Sequence, residues 1–589
     1  MADGFTLSYR GHEELTEAQH AMLLGPGAPF ELCEEDVLGT RLLVLANRAR
    51  NLREVLERAA ARFGDQPYFV FPDETVTFAE TPRRVAAIAR VLADDYGVGK
   101  GDRVAFASAN CLAYALAQWA VICLGGITVG LNGWWTGPEL VHGIELAQPK
   151  VVFGDEPRLA RLDEVGALNG LGGDGGDAPV VLLDELMRQV AERSEAQAEA
   201  EVAALPDVDI DEDDPFMILF TSGTTGRPKG ATLSHRNLIA MAGLSPFSRA
   251  VDTVRSGVAP PPSPSPPSPP SPPSPPSPPA VVAVSPFFHI SGTAGLHVTS
   301  VNFGTTLVFP PPGRWDPLVH LELTQRYRVS SWSGVPTQYW RILEHPDFDA
   351  YDVTSVGAIS SGGAPFAPEL MRMLEQKMPN AVPSNGYGMT ESVGAGSLLI
   401  ARGNEDKLAS VGGPWAGMEI QIRDEMNRVL PEGEIGEICM RGAMIFLGYW
   451  DNPEATAAVI DDDRWYHTGD YGRIADGVLW LESRIRDLVI RGGENIYPME
   501  IEHRLVEHPD IADAAVIGVP HRELGQEVKA FVVLRDGASM SESDVQAWAA
   551  AALARFKVPT YVEFRTELPY TATGKVMKHE LEAQDVTGK

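Results

Sequence analysis

The sequence predicts an α/β fold built largely on parallel sheets. Two features carry that expectation. From Asn51 onward, helix-length amphipathic runs alternate with short β-branched or aromatic runs. A charge-free stretch at 112–131 then reads as a helix and a strand that are both buried. The chain of 589 residues, 44% of them hydrophobic, is long enough to bury a substantial core. Length alone suits roughly four units or one large multi-lobed enzyme equally well.

Residues 1–50 are polar and mixed, and are expected to form an N-terminal extension packed on the body. NLREVLERAAARF (51–63) reads as a helix, and YFVF (68–71) and VTFAE (76–80) as short strands. A second helix follows at 82–96 and a strand at 102–108. The run at 112–131 is long enough to cross a bilayer. Gly125-Gly126 interrupts it, however, and its second half, ITVGL, is strand-like, so a buried helix and a buried parallel strand are expected instead. LNGLGGDGGDAP (168–179) reads as a surface loop. MILF (217–220) reads as a strand and SHRNLIAMAG (234–243) as the capped start of a helix. The segment 260–279 contains only proline and serine, which leaves polyproline II or disorder. Both its ends must attach to one domain, so it is expected to bow outward as a loop, with AVVAVSPFF (280–288) re-entering as a strand.

The formal charge is 48 − 80 = −32. Such a field repels phosphates, so nonspecific binding to nucleic acid or an anionic membrane is not expected. Any bound anion must be held by locally focused donors. The four cysteines are scattered with no CxxC pair, which argues against a disulfide framework or a zinc site and fits a reducing, cytoplasmic setting. The first fifteen residues lack the basic flank and apolar core of a secretory signal, and the final TGK is not a peroxisomal address.

The most informative segment is TSGTTGRPKG, 221–230: three glycines for close backbone approach, four hydroxyl residues, and Lys229 for positive charge. It is not the GxxxxGK[ST] phosphate loop, because Gly230 follows Lys229. It resembles the signature of the adenylate-forming (AMP-binding) superfamily, which includes acyl- and aryl-CoA synthetases, peptide-synthetase adenylation domains and firefly luciferase. Further blocks similar to that family follow in order: SPFFHISG (285–292), SSGGAP (360–365), YGMTES (387–392), YHTGDYGRIADG (466–477), RIRDLVIRGGENIYPMEIE (484–502) and LPYTATGKVMK (568–578). GGITVGLNGWWTGPEL (125–140) also resembles it, so the likeness runs from about Asn51 to the C-terminus.

The resemblance implies a large multi-subdomain adenylation domain with mixed parallel sheets, 51–485, interrupted by the insert at 260–279. It also implies a small mobile C-terminal α+β domain of the adenylate-forming type, 487–589, carrying the catalytic lysine. Arg486 stands at the hinge. ATP is then expected on Thr221, Ser222, Gly223, Thr224, Thr225, Gly226 and Lys229. Gly362, Gly363 and Ala364 offer a small surface for adenine, with Tyr387 stacking opposite and Gly388 beside it. Thr390 and Glu391 are hard oxygen donors, and Glu391 is expected to hold Mg²⁺. Asp470 suits the ribose hydroxyls, and Arg484 the ribose and phosphate. Lys575 is expected to bridge carboxylate and α-phosphate, and Gly492 and Gly493 to line a tunnel for the pantetheine arm of CoA. His289 is expected at the acyl pocket, a core histidine with satisfied hydrogen bonds being the alternative.

Three departures from the family pattern stand out: Ser483 where glycine is usual, Arg486 where lysine or aspartate is commoner, and the proline/serine tract just upstream of His289. The implied activity is an acyl-CoA synthetase: a carboxylic acid and ATP give acyl-AMP, and CoA takes the acyl group. Gly388-Met389 stands where acetate-specific relatives place tryptophan, so a medium- or long-chain fatty acid or another bulky acid is expected. Two alternatives stay open: a stand-alone ligase serving a carrier protein, and a non-catalytic acyl- or nucleotide-binding relative. Oligomeric state is also open.

Overall fold

The computed structural model of the chain describes residues 6–8, 16–167, 178–196, 204–221, 228–244, 247, 250, 251, 254, 278–293, 299–362, 368–402, 404–484, 487–491, 494–522, 524–570 and 576–587. The loop at 168–177 and the proline/serine tract at 260–277 lie outside them.

The fold is mixed α/β, with a large N-terminal domain of mixed parallel sheets and a small C-terminal domain. In the first large sheet Pro215–Thr221, Ile127–Gly130, Arg103–Ala107, Val151–Gly154 and Val180–Leu182 run parallel. Lys229–Ser234 and Gly448–Tyr449 add an antiparallel edge. The second sheet has nine strands, its parallel centre running Val382–Tyr387, Ala358–Gly362, Ser331–Gly334, Ala280–Val282, Thr306–Val308, Pro67–Val70. A third, antiparallel sheet orders Thr6–Ser8, Met418–Arg423, Gly436–Gly442, Tyr466–Ala475 and Val478–Arg484. The small domain folds Glu494–Ile496, Val489–Arg491, Gly525–Leu534, Ile511–His521 and Tyr561–Arg565 into a sheet with its own apolar core around Ile501, Leu505, Val516 and Val528.

The charge-free run behaves as its composition predicts. Leu112–Cys123 is a helix, Gly125 turns the chain at φ 68°, and Ile127–Gly130 is a buried strand. Trp119 and Tyr114 are fully enclosed in a core shared with Phe106, Phe153 and Phe287. Burying such a side chain contributes about 1.5–3 kcal/mol, which explains why the stretch carries no charge. Among the described residues no helix is long and apolar enough to cross a membrane.

Two local expectations are corrected. The strand expected at 76–80 stops at Thr77, because the Glu80 carboxylate accepts from Thr77 N (2.9 Å) and Oγ1 (3.1 Å) and opens the helix Glu80–Asp94 early. The glycine-rich loop leads into a further strand, Lys229–Ser234, before the helix His235–Leu244 begins. That strand is held on both sides, by Pro215–Thr221 and by Gly448–Tyr449, and buries Ala231 and Leu233. The loop therefore joins two antiparallel strands, and no helix N-terminus directly follows it.

Candidate active site

Three sheets bring their ends to one place. Thr221 pairs with Lys229 on the first sheet, Gly362 with Gly386 on the second, and Asp470 with Arg484 on the third. Side chains then join the sheets. Thr221 Oγ1 donates to Glu391 Oε1 at 3.2 Å, and the Tyr449 hydroxyl donates to the same oxygen at 3.1 Å. The Tyr387 hydroxyl donates to Asp470 Oδ2 at 2.8 Å. Lys229 Nζ lies 5.0 Å from the centroid of the Tyr449 ring, a cation–π contact at the foot of the glycine-rich loop.

Local backbone explains how these groups are presented. After Tyr387 the chain doubles back so tightly that a Cβ on Gly388 would lie 2.4 Å from Gly394 O, so no larger residue fits. Thr390–Ser392 form one 3₁₀ turn, closed by Val393 at φ 49°. A buried β-branched residue in that region costs of order 1–3 kcal/mol, strain of the kind that collects at functional sites. Phe446 N donates to Glu391 O at 2.9 Å and fixes the turn to the segment that carries Tyr449. The strand Tyr466–Ala475 is irregular opposite Glu437–Cys439: Cys439 pairs with His467 but Glu437 with Tyr471. The bulge re-aims the strand, and Asp470 N donates to Thr468 Oγ1 at 3.0 Å within it.

Thr390, Glu391, Tyr387 and Asp470 are all buried. Burial and then the Glu391 charge push the Tyr449 phenol up, and burial followed by Glu391, Tyr449, Tyr387 and Asp470 pushes Tyr466 well above its ordinary range. Both phenols stay protonated at neutral pH: Tyr449 donates to Glu391, and Tyr466 is hydrogen-bonded to Tyr449. The donor set at Glu391 is carboxylate and hydroxyl oxygen, which fits a hard divalent cation that keeps waters and phosphate oxygens for its other positions.

The structure thus brings together Thr221, Lys229, Tyr387, Gly388, Thr390, Glu391 and Asp470, and sets the backbone of Gly362 and Arg484 on the adjoining strand ends. Ser222, Gly223, Thr224, Thr225, Gly226, Gly363, Ala364, Arg486, Gly492, Gly493 and Lys575 lie outside the described residues. His289 is half-buried with Nδ1 2.9 Å from Ser291 Oγ. Next to it, Ile290 Cγ1 sits 3.9 Å from where a Cβ on Gly394 would be, so its segment abuts the turn after Glu391. Asn110 clamps that segment, donating from Nδ2 to Ser285 O and accepting from Phe287 N, both at 2.8 Å.

The sequence reading gave no role to Asn110, Tyr449 or Tyr466. Tyr466 opens the YHTGD block and could have been suspected. Tyr449 is 58 residues from Glu391, and nothing local marks it as a partner.

Comparison with known proteins shows the family. Residues 56–450 match the profile described as AMP-binding enzyme, and residues 500–575 that of the AMP-binding enzyme C-terminal domain. The chain is 29% identical over 555 residues to a long-chain-fatty-acid–CoA ligase of Bacillus subtilis (strain 168), a match that covers 90% of this chain and 94% of that one. It is 33% identical over 509 residues to a feruloyl-CoA synthase of Amycolatopsis sp, covering 86% and 93%. The ATP-bound crystal structure of MatB from Rhodopseudomonas palustris superposes with a TM-score of 0.77 at 29% identity, covering 91% of this chain and 99% of that one.

Proposed function

The chain belongs to the AMP-binding enzyme family, as an AMP-forming acyl-CoA ligase, and on that premise we propose that its acid is a medium- or long-chain fatty acid or another bulky carboxylic acid. The observation that carries the mechanism is the joint at which Glu391 accepts from Thr221 and Tyr449 while Tyr387 holds Asp470. The acid preference rests on the Gly388-Met389 pair and on the small buried residues Val393 and Ala395 beyond it. Relatives named for long-chain fatty acid and for feruloyl-CoA support room for a large acyl group.

In the first half-reaction an acid oxygen attacks the α-phosphorus of ATP and pyrophosphate leaves. Charge builds on phosphate oxygens, so positioning and fixed donors do most of the work. Thr221, the loop that follows it and Lys229 hold the triphosphate. The Tyr387 hydroxyl fixes one oxygen of Asp470 and so orients the carboxylate toward the ribose, while the Tyr387 ring covers adenine laid on Gly362, Gly363 and Ala364. Bound at Glu391, Mg²⁺ would neutralise phosphate charge. Lys575 bridges carboxylate and α-phosphate in this step. In the second, the small domain at 487–589 turns about Arg486 on the adenylation domain at 51–485, and Gly492 and Gly493 face the site to admit the CoA thiol. That thiol attacks the acyl carbon and AMP leaves. Cys33, Cys111, Cys123 and Cys439 are all free thiols, which supports a cytoplasmic setting.

A panel of acids from acetate to palmitate, with benzoate and cinnamate, tests this reading through CoA-dependent thioester formation. Preference for the larger acids is expected. Preference for acetate would overturn the open pocket, and ATP–pyrophosphate exchange without any thioester would turn the reading toward a carrier-protein acceptor.

A further inference from the structure

A second cluster of ligand-type side chains lies just outside the site. Glu437 and Cys439 stand two apart on Gly436–Gly442 and so share one face of the sheet, and His467 is the cross-strand partner of Cys439. One ligand atom from each falls within 4.8 Å of the others. His467 Nδ1 is 2.8 Å from Glu437 Oε2 and 3.5 Å from Cys439 Sγ. Two residues on one strand and a third across the ladder give three donors converging from a rigid surface.

We propose that Glu437 Oε2, Cys439 Sγ and His467 Nδ1 form a binding site for a zinc-class divalent cation, with solvent in the fourth position. With Zn–S about 2.3 Å and Zn–N about 2.05 Å, tetrahedral geometry separates sulfur from nitrogen by about 3.6 Å, close to the spacing present. The nitrogen–oxygen pair must open to about 3.4 Å. Glu437 can supply that movement, because its side chain is 23% exposed. Beyond the other ring nitrogen stands Asp461, whose Oδ2 is 4.0 Å from His467 Nε2, outside direct hydrogen-bond distance, and whose carboxylate Arg423 Nη1 anchors at 2.9 Å. Sulfur and nitrogen donors favour zinc over magnesium, which separates this site from the oxygen donors at Glu391. On binding, the Cys439 thiol proton passes to solvent as the metal–sulfur bond forms, and the imidazole keeps its proton on Nε2. Glu437 Oε1 meanwhile accepts from Gly469 N at 3.0 Å, so an ion here would tie down the turn that presents Asp470.

The test uses the full-length protein freed of metal and titrated with Co²⁺ and Zn²⁺. One equivalent of Co²⁺ should give a thiolate-to-cobalt charge-transfer band that Zn²⁺ abolishes and a large excess of Mg²⁺ does not. Cys439→Ser, nearly isosteric, should lose the band. His467→Gln should weaken Zn²⁺ binding by more than about tenfold, since even outer-shell losses commonly cost that much. Cys33→Ser, a thiol elsewhere in the fold, should behave as the parent. No binding at one equivalent, a band that survives Cys439→Ser, or displacement by Mg²⁺ would each overturn the proposal.

Discussion

Replacing Tyr449 by phenylalanine removes a single hydroxyl from the candidate site. The ring keeps its edge contact with Phe446, at 5.1 Å between centroids, and its place 5.0 Å from Lys229 Nζ. The lost hydroxyl donates to Glu391 Oε1 and is also hydrogen-bonded to the Tyr466 hydroxyl. A hydrogen bond to a charged acceptor is worth about 1.5–3 kcal/mol, more than the 0.5–1.5 kcal/mol of a neutral pair. If Glu391 acts on the ATP complex, that converts to a fall of roughly 10- to 150-fold in adenylation. Thr221 Oγ1 still holds the same oxygen, so the lower part of the range is expected. The assay is ATP–pyrophosphate exchange against Mg²⁺ concentration, run beside thioester formation from supplied acyl-AMP. Exchange should fall and the second step should stay close to the parent. Thr221→Val with Tyr449→Phe should be non-additive, because both hydroxyls converge on one atom. A folded Tyr449→Phe enzyme whose exchange stays within about threefold of the parent, below half of the smallest expected loss, would refute the reasoning.

Lys575→Ala should cost about 10²–10³ in acyl-AMP formation while sparing thioester formation from supplied acyl-AMP. Gly493→Leu should do the reverse, and loss of the same step by both variants would sink the two-orientation mechanism. Deleting 260–277 with a short Gly/Ser joint should leave ligase activity within about threefold, since loop length enters closure entropy only logarithmically. Pro279 is kept because its carbonyl accepts from Thr306 N at 2.8 Å. A loss beyond tenfold with the fold intact, on the order of 1.4 kcal/mol, would give the tract a role. Gly388→Ala should lower the urea midpoint as well as activity, because the added Cβ meets the Gly394 carbonyl; an unchanged midpoint would count against the tight turn. Burial pushes the His235 imidazole down to about 3, and its Nδ1 accepts from Leu52 N at 3.2 Å. The unfolded chain binds this proton first, so stability should fall as pH drops from about 6.5 toward 3 and level off below. Urea titrations of the parent and of His235→Gln should show the variant with the shallower slope; equal slopes would remove His235 as the cause.

Much of the fold was legible because burial leaves its mark on composition. The run at 112–131 could not carry charge if helix and strand were both enclosed, and Asn51 stood where a helix needed a cap for Glu54 N. The site was legible only where its residues sit in contiguous blocks, such as Thr221, Tyr387–Glu391 and Asp470. What the sequence withheld depends on register. A strand shows which residues share a face, so Glu437 and Cys439 could be paired by alternation alone. It does not show which residue of a distant strand stands opposite, and a slip of one residue would have turned that partner to the other face. The bulge at 468–470 makes the problem sharper, since it lets His467 meet Cys439 while Tyr471 meets Glu437. Tyr449 poses the same difficulty: its hydroxyl reaches Glu391 because Gly448–Tyr449 pairs with Lys229–Ser234, a pairing that brings Tyr449 opposite Ala231. Long-range register, rather than propensity or composition, is therefore the physical quantity that separates the residues a reader of the sequence can assign from those that only the folded chain reveals.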